Sequence, residues 1–228
     1  GADLRLYNQA LTRLKALDDS INLDSILQEQ MKLHGANPHF LRDAALLYQS
    51  ACHTFKLVDG AYIRGAGPWD GEYSGEARDR VEALRCLVKA MQLAEKGNNM
   101  KLLGQLRFIT AQALPVKGNR YAPLSAFQSY AALGNLTNLK ELPDYVSREE
   151  ASPFRNVATV PVMVNARTGK PELIYYHASS SWETAKNDGE RMRWLLDAAI
   201  QVNPELAYQV NYFTASWCRR LFSYAHTA

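Results

Sequence analysis

The residue types that could build a reactive site in this chain are histidine, cysteine, serine and glycine, and their spacing does not assemble one. His34, His39, His53, His177 and His226 are scattered. None falls in a His-Glu-x-x-His pattern or an i,i+4 pair, the spacings that set two imidazoles on one helix face for a metal. Cys52 and His53 are adjacent, and on a helix their side chains would diverge by about 100°, too far for a thiol and its base. Ser179-Ser180-Ser181 stands ahead of Trp182 without the Gly-x-Ser-x-Gly of a nucleophile elbow, so it reads as a loop and helix cap. Gly65, Gly67 and Gly71 match neither a phosphate loop nor a dinucleotide fingerprint. No cofactor and no metal are implied, and a non-enzymatic chain is expected.

Binding is the chemistry that remains. Asp59 to Gly75 holds five glycines and a proline, which forbid a continuing helix. Its aromatics are too many for a disordered linker, so an ordered loop packed by its own rings is expected. Tyr62, Arg64, Trp69, Asp70 and Tyr73, followed by Arg78 and Arg80, form one candidate binding surface, rich in the Tyr, Trp and Arg that anchor interfaces. In the alternative, the aromatics fold inward and Arg78-Asp79-Arg80 is a solvated helix start. Lys186, Asp188 and Arg191, with Glu190 and Arg193, form the second candidate surface. There the alternative is a set of exposed ion pairs, individually weak.

Composition narrows the classes. At 228 residues, 47% apolar and 21% charged, the chain has the make-up of an ordinary globular protein. A net charge of +3 without a Lys/Arg-rich run argues against nucleic acid as a partner. No apolar run is long enough for a transmembrane segment. Cys52, Cys86 and Cys218 are odd in number and far apart, which predicts buried free thiols, or one disulfide and a leftover in an exported protein. The chain opens on Gly-Ala-Asp with no initiator Met and no signal peptide, so a longer native chain is expected, extending before Gly1 and beyond Ala228.

The elements that must position these residues are mostly helices. Apolar residues three or four apart predict helices from Leu4 to Leu17, from Leu23 to His34, and from Pro38 to about Val58 on Leu41, Ala44, Ala45, Tyr48, Cys52 and Phe55. Further helices are predicted at Glu76 to Glu95, Asn99 to Leu114, Leu124 to Leu133, Thr184 to Val202 and Pro204 to Tyr224. Asn37-Pro38 and Asn203-Pro204 each offer a cap followed by a proline at the first helical position. Gly189 falls within the predicted Trp182 helix, where it would cost about 1 kcal/mol against Ala, and a close backbone approach is expected there. Val157 to Val164 and Glu172 to His177 flank a polar turn and predict a β-hairpin. The expected fold is mainly α: stacked antiparallel helical hairpins, solenoid- or TPR-like without a strict repeat, with one inserted β-hairpin. It is read as a single domain, with hairpins over 1–58, the Gly-rich loop over 59–75, helices over 76–133, the β-hairpin over 157–177 and a last helical hairpin over 182–224.

Arg78-Asp79-Arg80-Val81-Glu82-Ala83-Leu84, Leu142-Pro143-Asp144-Tyr145 and Ala185-Lys186-Asn187-Asp188-Gly189-Glu190-Arg191 with Arg193-Trp194 carry a family likeness. In these words and their order, the chain from about Asn8 to Asn211 resembles the helical region ahead of the macroglobulin-type β-sandwich domains in large bacterial alpha-2-macroglobulin-like proteins. The resemblance implies a scaffold or docking module of an exported, periplasmic, secreted or cell-envelope protein whose family traps or inhibits proteases. Its implied partners are other domains of the same chain or a protease. The reactive Cys-Gly-Glu-Gln segment of many such proteins is not in this sequence, so thioester chemistry is not implied for it. The alternative expectation is a stand-alone small-ligand binder or enzyme, with a pocket between the Gly-rich loop and the Trp182 helix.

Overall fold

Asn37-Pro38 starts a helix by the chemistry its residues offer. The Asn37 side chain accepts from the His39 and Phe40 amides at 2.9 and 3.4 Å, and Pro38 takes the first turn, where its missing N–H is not needed. The computed structural model describes residues 23–65, 72–114, 137–147, 162–173, 179–186 and 188–223. The helices predicted at Leu4 to Leu17 and Leu124 to Leu133, and the outer ends of both predicted strands, lie outside the described residues. The chain divides into two compact units, Gly1–Asn98 with Asn138–Ala151, and Asn99–Thr137 with Ser152–Ala228.

In the first unit, α1 (Leu23–His34) stops at Gly35, and α2 (Pro38–Ser50) buries Phe40, Leu41, Ala44, Ala45 and Tyr48. The predicted continuation of this helix through Cys52 and Phe55 to Val58 is not what forms. Ala51 turns to extended backbone, and β1 (Thr54–Val58) pairs antiparallel with β2 (Ala61–Arg64). Asp59 and Gly60 between them have φ of 50° and 79°, the two left-handed positions of the tight turn whose twist suits a hairpin. Phe55 is buried in the strand as it would have been in the helix, so apolar spacing could not separate the two. The Asp-Gly pair was the local signal. The Gly-rich stretch therefore holds strands, not only loop: β3 (Glu72–Ser74) pairs with the other side of β1, and β4 (Val146–Ser147) pairs with β3, giving the order β2-β1-β3-β4. Helix α3 (Glu76–Lys96) packs on α2 and buries Val81, Leu84, Leu87, Ala90, Met91 and Ala94.

In the second unit, α4 (Met100–Ala113) is capped by Asn99, whose side chain accepts from the Leu102 amide at 3.2 Å, and it packs on α5 (Asp188–Val202). The chain then makes a 3₁₀ turn (Pro204–Leu206) and α6 (Ala207–Ser223). The predicted hairpin forms as β5 (Val162–Val164) and β6 (Pro171–Leu173), antiparallel across the Asn165 turn. Two expectations need correction here. Helix α5 begins at Asp188 and not near Thr184, because Ser181 and Thr184 bond each other's backbone amides at 3.1 and 3.2 Å and hold 181–184 in a turn. Gly189 is thus a first-turn residue and carries no mid-helix penalty. Asn203 makes no side-chain cap; its Nδ2 donates to Lys101 O at 3.3 Å, tying the 3₁₀ turn to α4.

The molecule is mainly α with inserted β structure, and no helix among the described residues is long and apolar enough to cross a membrane. Cys86 is a buried free thiol and Cys52 a half-buried one, while the Cys218 side chain lies outside the described part. Burial, then the charge of Glu82, pushes the Cys86 thiol up to about 12, with Lys89 and Arg85 opposing. Burial, then the neighbouring negative groups headed by Glu82, raises Tyr48 as well.

Two predictions follow from this packing. A Cβ at Gly104 would lie 2.5 Å from Asn203 Cβ and 3.1 Å from Ala199 O, so Gly104→Ala is expected to force α4 and α5 apart and cost about 1–3 kcal/mol in urea denaturation. Because the native state holds the Cys86 and Tyr48 protons more tightly than the unfolded chain does, their stabilisation is complete below the ordinary thiol value of 9.0 and is lost as pH rises beyond it. Urea midpoints are expected to fall between about pH 9 and about pH 12, and to fall less steeply in Cys86→Ala.

Candidate functional site

Arg64, expected on a binding surface, lies inside the first unit at 2% exposure. All five of its N–H donors are used. Nε and Nη2 donate to Asp24 at 3.0 and 2.8 Å, Nη1 and Nη2 donate to Asp79 at 2.6 Å each, and Nη1 also reaches Cys52 O at 2.7 Å. The guanidinium stacks 4.5 Å above the Phe55 ring, its neighbour across the β1–β2 ladder. Asp79 is 3% exposed and bonds His53 Nδ1 at 2.6 Å. One arginine therefore joins α1, β2, α3 and the segment that links α2 to β1. Burial alone would pull the Arg64 guanidinium down, but the hydrogen bonds it donates to Asp79 and then to Asp24 outweigh it and hold the group above its ordinary value.

The aromatic candidates stay nearer the surface. Tyr62 stacks on Tyr145 at 4.0 Å and meets Tyr73 edge-on at 5.0 Å, while Phe55 packs edge-on against Tyr145 at 4.6 Å. Arg78 lies 4.5 Å over the Tyr145 ring and donates to Pro143 O at 2.7 Å. Arg85 donates to Leu139 O at the same distance. Two arginines of α3 thus clamp the 139–147 segment that supplies β4. Arg80 is half-buried on the same helix. Trp69 and Asp70 lie outside the described residues. Tyr62, Tyr73 and Arg78 come together around Tyr145, which the sequence marked only within Leu142-Pro143-Asp144-Tyr145 and not as a site residue.

In the second unit, Asp188 and Arg191 face inward rather than out. Asp188 accepts from the Thr137 amide at 3.1 Å and from its hydroxyl, and Arg191 donates to Thr137 O, Asp188 Oδ1 and Trp182 O at 3.2–3.3 Å. The Arg191 guanidinium covers the Trp182 ring at 4.6 Å. Lys186 is exposed, and its amide donates to Glu190 Oε2 at 2.8 Å, so Glu190 reaches back over the helix start as capping residues do. Asp24, His53, Asp79 and Thr137 complete these two clusters. No local signal pairs them with their partners, which stand 15 to 54 residues away; in the sequence, Asp79 reads as part of a solvated helix start.

Chemically, both clusters are saturated ties. Donors and acceptors meet each other, and the Asp79 carboxylate that orients His53 is itself forked by Arg64. Among the large apolar side chains that the described surface leaves exposed are Tyr208 and Tyr212, one helical turn apart on α6 at 80% and 68% exposure, and Leu57, Val58, Tyr62 and Ile63, grouped on the β1–β2 hairpin. Compared with known proteins, the chain matches no family model, no curated sequence and no solved structure.

Arg64→Met is expected to cost about 3–5 kcal/mol in urea denaturation, because it strands the buried Asp79 carboxylate. Arg64→Lys should recover only part of that, since an ammonium keeps the charge but cannot fork two carboxylates. A loss below about 1 kcal/mol for Arg64→Met would show that the cluster does not hold the unit together.

Proposed function

We propose that this chain is a non-enzymatic helical scaffold and protein-interaction module of a large exported alpha-2-macroglobulin-like protein, with other domains of that polypeptide or a protease as its partners. The observation that carries the interaction role is the division of labour among side chains. Arg64, Asp79, Asp188 and Arg191, the charged groups best suited to chemistry, are buried in bonds within their own units. Among the large apolar side chains left exposed, Tyr208 and Tyr212 pair on α6 and Leu57, Val58, Tyr62 and Ile63 group on the β1–β2 hairpin. Tyrosine gives large contact area at small entropic cost, which is why it anchors protein interfaces. The lineage rests on the words around Arg78, Pro143 and Ala185 to Arg191.

Two measurements test the two halves of this reading. An immunoblot of fractionated native cells is expected to show a band far above 25.6 kDa in the envelope or secreted fraction; a cytosolic band at that mass would overturn the lineage. A photo-reactive phenylalanine placed at Tyr212 in the native full-length protein is expected to form adducts with other segments of the same polypeptide or with a protease. No adduct above that formed from the exposed Leu33 position would overturn the interaction role of α6.

A further inference from the structure

The sheet of the first unit ends on an edge with no neighbouring strand among the described residues, the outer side of β2. The ladder tells which groups that edge presents. The Gly65 amide donates to Thr54 O at 3.0 Å, so the pairs two and four residues further on, Lys56 with Ile63 and Val58 with Ala61, are those that exchange bonds across the hairpin. Tyr62 lies between them and turns its N–H and C=O away from β1. Arg64 turns the same way but is buried, so the open stretch is Ala61 to Ile63. Tyr62 and Leu57 flank it on one face and Ile63 and Val58 on the other, all between 37% and 48% exposed.

Natural edge strands are blunted with lysine, proline or a bulge. Over its open stretch, Ala61 to Ile63, β2 has no charged residue and no proline, and its ladder runs without a bulge. The opposite edge of the same sheet shows what fits here: β3 is closed by the two-residue strand Val146–Ser147, brought from a distant part of the chain. Unpaired backbone groups between apolar side chains specify an extended strand as their complement.

We propose that the β2 edge receives an extended apolar segment of a partner polypeptide as an added strand. Tyr62 N–H and C=O bond one residue of that segment, and its side chains alternate onto Tyr62/Leu57 and Ile63/Val58. This rests on the interaction-module reading and names the kind of partner. A second copy of this chain is a poorer occupant, because so short an edge falls far below the roughly 1,200 Å² that a stable dimer buries. A short added strand is instead effective when the partner is tethered nearby.

The test is an amide-resolved NMR titration of the full chain with a short capped peptide of alternating valine and threonine in millimolar excess. The expected result is a shift of the Tyr62 and Ile63 amides and a roughly tenfold slowing of Tyr62 amide exchange, with Tyr212 unmoved. A proline-interrupted peptide should have no effect. Tyr62→Pro, at a position whose amide faces away from β1, should abolish binding. Ile63→Lys, outside the aromatic cluster, should weaken it at least about tenfold. An unchanged Tyr62 amide, or protection that appears without peptide and grows with protein concentration, would overturn the proposal. Adducts at Tyr212 alongside a silent Tyr62 would sink the edge and leave the module reading standing.

Discussion

The first unit depends on the burial of one positive charge. Placing Arg64 among Phe55 and the ends of two helices would be costly if any of its donors lacked a partner. The two carboxylates and one carbonyl that meet it come from three separate stretches: Asp24 on α1, Asp79 on α3, and Cys52 between α2 and β1. Each must be in place for the guanidinium to be tolerated. The cluster therefore acts as a register mark, penalising arrangements in which the sheet slides or a helix rotates. The aliphatic faces of α2 and α3 supply the burial, but apolar packing alone is far less directional.

The second unit uses the same device in smaller form. Arg191 lies over Trp182 and joins Thr137, Asp188 and the 181–184 turn, fixing where α5 begins. A helix start of this kind needs an anchor, since Ser181 and Thr184 draw the backbone into a local turn. In both units the charged residues nearest to functional chemistry are committed to internal bonds. The proposed interaction reading is built instead on a backbone edge and on exposed rings.

Much of the helical frame was legible because it rests on local chemistry. Asn37-Pro38, Gly35, Gly97 and Asn99 mark helix ends by capping and backbone freedom, and the helices begin or end beside them. The hairpin around Asn165 was readable from two β-branched runs and a polar turn. The β1 strand was not, because Phe55 continues the helical stripe of α2 and a single apolar position fits either period. Asp59-Gly60 carried the contrary signal. The sites were less legible still: Arg64 was singled out for its type, but Asp24 and His53 gave no reason to be placed beside it.

The sequence by itself determined where most helices start and stop and that the protein is mainly α, since capping, apolar period and proline act within a few residues. Only the tertiary structure decided that Arg64, Asp188 and Arg191 are buried rather than presented, and that a four-stranded sheet is assembled from segments as distant as Thr54 and Ser147. The physical reason is range. A cap or a turn is satisfied by its neighbours in the chain, whereas a guanidinium or a strand edge is satisfied by whatever the fold brings to it.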